Sequence, residues 1–408
     1  MRISREKVIT ICIYSLVILS ILQLMNGNYT KANEFSRVYL YKMAEDSILS
    51  ILQSAAFLLA VVAAFSIKLS YGKTINIIIS VLLLCVCFWS LFEIFNGKSI
   101  QSIVLSGVSP FIYLSVFCIA FGRQESVWKM IKRHSPYLAL ICSVSSVIFA
   151  VTAISKYSMV SGLAPYMIMY TSAFWFISIT VFCTNVKPLY KWVLVFYCVL
   201  IPILYGSRGW TITSMIMMIM YTFRDTHKRG DKKFAIKLVL PTVFLLLYLV
   251  GTSVFSEQFD YFFGRIGETT RIQQYRYILQ SLDVSSIIGG GMNASYSFGG
   301  NKYYQYFDNV FIFTYLHFGL VMAVCYYLLI LIPIFKVTRR KTNSLPDAER
   351  GLLYVFILWF ISINGLSVYN GITYDAKNIL LMLCLGRFLY ISKQLRAYTG
   401  EVLEEYEQ

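Results

Sequence analysis

The sequence predicts an all-α protein, a polytopic transmembrane helical bundle of about twelve spans with one large extracytoplasmic loop. Three observations predict it. Of 408 residues, 58% are hydrophobic and only 14% are charged, where soluble domains carry about 25% charged residues. The apolar residues gather into runs, and a helix crosses a bilayer with about 20 of them. The basic residues are divided unequally between alternate loops. No period-two alternation organises the runs, so the class is helical and not a barrel. No large soluble domain fits between them, and residues 1–408 read as a single integral membrane domain.

Taken in order, the expected spans lie near residues 8–25, 48–67, 75–95, 103–121, 137–154, 163–183, 190–206, 210–223, 235–255, 307–335, 351–369 and 373–392. The first begins like a signal peptide, with Arg2, Arg5 and Lys7 before an apolar run. That run is long for such a segment, and Asn26-Gly27-Asn28 is no small-residue cleavage site. It is expected to stay as a span. Of the 36 Lys and Arg residues, 25 fall on the side of the N-terminus, ten fall on the other side, and Lys377 lies within the last span. Basic loops stay inside, so both termini are expected in the cytoplasm. A net charge of +16 could mean nucleic acid, but cations confined to short loops between apolar runs serve orientation and contact with membrane lipids. No nucleic-acid partner is expected. The nine cysteines all sit in apolar runs. They form no disulfide framework, and Cys85-x-Cys87 lacks a His or carboxylate at metal-ligand spacing. No metal and no cofactor are expected.

Candidate chemistry begins with "LIPILYGSRGW", residues 200–210. Cytoplasmic loops on either side force the chain to cross twice and turn at Gly206-Ser207-Arg208-Gly209. Each limb has about 15 residues, or roughly 22 Å of helix, against a hydrocarbon core of about 30 Å. The turn is therefore expected to be recessed. Arg208 either snorkels to headgroups or serves an anion site, and the glycines beside it suit close approach to a ligand.

The outer loop 256–306 is long, and loops of that length are usually functional. Residues 270–286 read as an amphipathic helix with Ile272, Tyr275, Ile278, Leu279 and Leu282 on one face. Arg271 falls about 40° from the centre of that face and Arg276 about 100° from it. Arg271 either pairs with Glu268, three residues earlier, or grips phosphate, which the guanidinium fork fits. Gly289-Gly290-Gly291 follows, without the Lys-Ser/Thr of a phosphate loop. Asp308-Asn309 stands where the chain re-enters the membrane. Asp308 is either a helix cap or a carboxylate able to take a proton from a sugar hydroxyl. His317, nine residues on, lies on the opposite side of the helix and reads as an interhelical hydrogen-bonder or a second polar contact. Glu93, Asn364, Tyr369, Asn370, Tyr374 and Asp375 gather at the same level, and Asp375 and Lys377 are placed to neutralise each other.

Three stretches together resemble the O-antigen polymerase and O-antigen ligase superfamily. They are "YGSRG" at 205–209, "RIQQYRYILQSLDVSSIIGGGM" at 271–292 and "DNVFIFTYLHFGL" at 308–320. The second carries an Arg, an aromatic residue four positions on (Tyr275) and a Gly-x-Gly (Gly289, Gly291) in the superfamily's order. The resemblance implies a metal-independent glycosyltransferase of the GT-C type, acting on undecaprenyl-diphosphate-linked oligosaccharide at the outer face of the bacterial inner membrane. It gives Arg208 and Arg271, and less directly Arg276, the donor diphosphate. It gives Asp308 the place of the base, with Asn309 beside it. Asp-Asn in place of the ligases' His-Asn favours a polymerase of O-antigen or capsular repeat units, with a chain-length regulator as a candidate partner. The alternatives are an O-antigen ligase and a lipid-linked oligosaccharide flippase. Against the flippase, residues 1–204 and 205–408 show no internal similarity of the kind common in transporters.

Overall fold

A computed structural model describes residues 4–26, 48–65, 73–106, 108–156, 167–204, 207–229, 276, 287–298, 301–304, 309–338, 347–363 and 374–406. The expected span at 235–255, all but Arg276 of the expected loop helix, and Asn364, Tyr369 and Asn370 lie outside them.

The described residues are almost entirely helical. Helices α1 (Arg5–Asn26), α2 (Ile48–Phe65) and α3 (Lys73–Phe95) follow the first three expected runs. The fourth run departs from a single helix. It comprises α4 (Ile100–Leu105), a break, a 3-10 helix (Pro110–Cys118) and α5 (Ile119–Gly122). The break has a local cause: Ser109 caps the 3-10 helix through its side chain, and Pro110, which has no N–H, opens it. Then come α6 (Glu125–Lys156), α7 (Met167–Cys183), α8 (Pro188–Leu204) and α9 (Arg208–Arg229). Helix α6 begins 12 residues before the run expected at 137 and continues through Pro136. A short antiparallel pair, β1 (Tyr296–Phe298) and β2 (Asn301–Tyr304), aligns Tyr296 with Tyr304 and Phe298 with Asn301. The sequence reading contained no such hairpin. Helices α10 (Val310–Thr338), α11 (Asp347–Ile363) and α12 (Ala376–Tyr406) complete the order.

Among the described residues, four helices, spanning Arg5–Gln23, Ile48–Phe65, Lys73–Phe95 and Val310–Phe335, are long and apolar enough to cross a membrane. Shorter apolar helices run over Pro110–Gly122, Met169–Cys183 and Pro188–Ile203. Helix α7 is central: its side chains from Met169 to Cys183 are buried on every face, as expected of a helix that is apolar all round. The first four turns of α12, from Ala376 to Leu389, are buried in the same way. Large apolar side chains such as Leu84, Phe88 and Val144 are instead exposed on the outer helices, as lipid contact requires.

Small residues set the closest crossings. A Cβ on Gly122 would lie 2.0 Å from the Leu383 carbonyl oxygen, and one on Gly386 would lie 2.0 Å from that of Ile119. Helices α5 and α12 therefore meet backbone to backbone, as membrane helices do where small residues face each other. Polar side chains in the core are satisfied across helices. Tyr170 on α7 bonds the Cys198 carbonyl on α8 and the Ser214 hydroxyl on α9, both at 2.7 Å.

The ion pairs of Arg224 and Arg387 lie at one end of the bundle. Arg224 near the end of α9 meets Asp347 at 2.9 Å, and buried Arg387 on α12 meets Glu125 at 2.5 Å and also Glu349. Arg208 opens α9 16 residues before Arg224, which places it about 24 Å away along the helix axis, toward the opposite end.

Candidate functional site

The end of the bundle opposite those ion pairs holds three polar features. The first is the start of α9. Helix α8 ends at Leu204, and the Ser207 amide reaches back to the Pro202 carbonyl at 2.8 Å. Pro202 has no N–H for the Cys198 carbonyl four residues back, and Tyr170 bonds that carbonyl instead. The Ser207 carbonyl then accepts from the Thr211 amide at 3.0 Å and the Thr211 hydroxyl at 2.9 Å, which starts α9. The Ser207 hydroxyl oxygen is buried and has no hydrogen-bond partner among the described residues. A serine before a helix usually spends its hydroxyl on the first-turn amides. Here it does not, and it lies beside a helix N-terminus, where free N–H groups and the helix dipole favour an anion. Arg208 is the first residue of α9.

The second feature is a broken helix. Gly319 in α10 has φ +83° and ψ 173°, so α10 is two helices joined at a kink. A break strands carbonyls that a continuous helix would satisfy. All three preceding carbonyls are met from outside. Leu316 O accepts from Gly290 N at 3.0 Å, His317 O from Gly291 N at 2.8 Å, and Phe318 O from Trp89 Nε1 at 3.0 Å. The loop segment 287–296 is thus sewn into the kink.

Glycines make the fit possible. A Cβ on Gly319 would lie 2.0 Å from Ile288 O, one on Gly289 would lie 2.5 Å from Gly319 N, and one on Gly291 would lie 2.4 Å from Glu93 Oε1. The buried Glu93 carboxylate closes the junction: Oε1 accepts from Met292 N at 2.6 Å, and Oε2 pairs with Lys98 at 2.9 Å. Lys98 also donates to Asn293 Oδ1 at 3.0 Å. His317 Nδ1 lies 2.9 Å from Gly291 O. A carbonyl only accepts, so Nδ1 carries the proton in this arrangement.

The third feature is the start of α12. Asp375 and Lys377 are both buried and paired at 3.0 Å, and Asp375 Oδ1 accepts from Asn378 N at 3.2 Å. The carboxylate is at once a helix cap and a counter-ion. Tyr374 beside it donates to Ser109 Oγ at 2.9 Å, which ties α12 to the cap of the 3-10 helix.

Comparison with family models, curated proteins and solved structures gives no match.

Of the expected site residues, Arg271, Tyr275, Glu268 and Asp308 lie outside the described residues. Arg276 is helical and exposed. Asn309 caps α10 through its side chain, accepting from Ile312 N at 3.2 Å. His317 is fully buried and holds the loop, which is the structural part of its expected role. Gly289 and Gly291 admit protein rather than open space: the kink backbone at one, the Glu93 carboxylate at the other. Asp375 and Lys377 neutralise each other, as their spacing predicts.

Four residues of this region went unnoticed in the sequence. They are Trp89, Lys98, Asn293 and Gly319. Trp89 lies one turn before Glu93 on α3, and Gly319 sits in the middle of an apolar run. A glycine there costs about 1 kcal/mol against Ala in a helix, and that cost was the available sign of a break.

Proposed function

We propose that the chain is an integral membrane glycosyltransferase of the GT-C type, with about twelve spans and cytoplasmic termini, in the bacterial inner membrane. It joins undecaprenyl-diphosphate-linked oligosaccharide repeat units at the outer face into O-antigen or capsular polysaccharide. The observation that carries the reading is the start of α9, where a buried serine hydroxyl without an internal partner stands at a helix N-terminus beside Arg208. That combination suits a diphosphate.

In this reading the acceptor hydroxyl of one lipid-linked repeat attacks the anomeric carbon of the growing chain. Asp308 takes the hydroxyl proton, the glycosidic bond to the carrier breaks, and undecaprenyl diphosphate leaves. Arg208 and Arg271, with Arg276 nearby, stabilise the charge that grows on the leaving phosphate. Donors fixed in advance toward developing charge are the largest common source of catalysis. The junction at Gly319 anchors the outer loop that carries the second arginine. Glycines 289 and 291 then serve the site by positioning that loop.

The test is polymer length in cells that express single-arginine variants. Arg208→Ala and Arg271→Ala should leave folded protein and single repeat units on the acceptor, with no polymer. Normal chain length in both variants removes the anion site from the account. A ligase would instead lose attachment of finished glycan to its acceptor, and a flippase would leave lipid-linked units trapped inside.

A further inference from the structure

A cleft of about 630 Å³ opens at the end of the bundle that holds Arg224 and Arg387, away from the proposed catalytic end. Its walls include Lys132, Arg133, Tyr137 and Leu140 on α6, with Asn185 and Tyr190 from the turn into α8. Among the described residues no carboxylate pairs with Lys132 or Arg133. The nearby acids are already taken: Asp347 by Arg224, and Glu125 and Glu349 by Arg387. Lys191, next to Tyr190 of the wall, donates to the carbonyls of Val181 and Thr184 at 2.9 and 2.6 Å, and brings no negative charge. The cleft is therefore a positive pocket without an internal counter-ion among the described residues.

An apolar strip runs from it. Arg133, Tyr137, Leu140, Ile141, Val144 and Ile148 recur at three- and four-residue spacing, so cation, ring and aliphatic side chains share one face of α6. The strip is open: Leu140, Val144 and Ile148 are 48%, 50% and 57% exposed. Leu189 and Val193 on α8, 76% and 57% exposed, add apolar surface from the neighbouring helix. From Tyr137 to Ile148 is about 16 Å of helix, a length that suits the upper part of an acyl chain. Tyr137 stands at the border, where tyrosines sit at membrane interfaces.

The structure assigns this cleft to an anionic phospholipid, with its phosphate between Lys132 and Arg133 and an acyl chain along the α6 strip. A free anion would use the cations but not the strip. A zwitterionic lipid would use the strip while offering no net charge to the cations. The assignment needs only a membrane around the bundle and is independent of the proposed glycosyl transfer.

The test uses the purified full chain in a neutral detergent. Thermal unfolding is followed while the sample is titrated with dihexanoyl phosphatidylglycerol, dihexanoyl phosphatidylcholine or inorganic phosphate. Phosphatidylglycerol should raise the melting temperature, and the other two should not at the same concentration. Lys132→Gln with Arg133→Gln should require about thirtyfold more phosphatidylglycerol for the same rise, because two interfacial cations are lost. Lys73→Gln with Lys129→Gln removes two exposed cations outside the cleft wall and should leave the titration unchanged. Leu140→Asn keeps both cleft cations and interrupts the strip, and it should weaken phosphatidylglycerol alone. Equal stabilisation by phosphatidylcholine, or by phosphate, overturns the assignment. So does an undiminished titration in the cleft double variant, an equal loss in the control pair, or an unchanged titration in Leu140→Asn.

Discussion

Replacing Gly319 by Ala puts the kink of α10 under direct strain. Two costs can be worked out. An L-residue at the backbone angles of Gly319, φ +83° and ψ 173°, a region that glycine alone occupies readily, costs roughly 1–3 kcal/mol. The added Cβ would also lie 2.0 Å from Ile288 O, so the loop must retreat by more than 1 Å to reach van der Waals distance. That retreat breaks the bonds from Gly290 N and Gly291 N to the Leu316 and His317 carbonyls. Each buried group left unsatisfied costs about 1–3 kcal/mol. Against this, Ala gains about 1 kcal/mol over Gly in helix propensity, which favours straightening α10. The balance is a loss of about 2–8 kcal/mol, concentrated at the junction. Hydrogen exchange of the purified protein in detergent reads it directly. The amides of Gly290, Gly291 and Met292 should exchange at least about thirtyfold faster, at 1.4 kcal/mol per tenfold, while central α7 stays protected. Unchanged protection at those three amides would show that the glycine is not what lets the loop dock.

Other outcomes follow from the same packing. Ser207→Ala removes a hydroxyl with no internal partner among the described residues, so stability should shift by less than about 0.5 kcal/mol while polymer synthesis falls; a large drop in melting temperature would mean an internal role. Tyr170→Phe deletes the bonds to Cys198 O and Ser214 Oγ and should cost about 1–3 kcal/mol in detergent unfolding, without altering the product. Arg387→Met strands the buried Glu349 carboxylate and should cost about 3–5 kcal/mol, whereas pairing it with Glu349→Leu should recover much of that loss in the same melting assay.

How much of this was legible in the sequence depends on what each feature needs. Helix positions in the outer shell were readable because apolar content alone sets them: α1, α2 and α3 fall within a few residues of their expected runs. The break before Pro110 was marked by Ser-Gly-Val-Ser-Pro, yet the apolar residues on both sides hid it inside one run. The early start of α6 was hidden by Pro136 and four cations, which read as loop; tertiary contacts such as Tyr190 OH to Pro136 O, at 2.8 Å, support the helix instead.

At the candidate site, the polar level of Glu93, Asp375 and Lys377 was readable, since charges at the ends of apolar runs need partners. Their actual partners were not. Glu93 serves Met292, 199 residues away, and Trp89 serves Phe318, 229 residues away. No local pattern encodes such pairs. The triple glycine was readable as a place of close approach, but only the kink at Gly319 explains what approaches.

In the proposed function, this chain lengthens a glycan on its lipid carrier through an anion site at the start of α9. Its most direct measurement is elongation by the purified chain in detergent, supplied only with undecaprenyl-diphosphate-linked repeat units and with no second acceptor or membrane compartment. The account predicts a ladder of lipid-linked products that grows by one repeat unit at a time, with release of undecaprenyl diphosphate, and that disappears in Arg208→Ala. A chain that leaves the repeat units unjoined, or an Arg208→Ala variant that makes the same ladder, would contradict it.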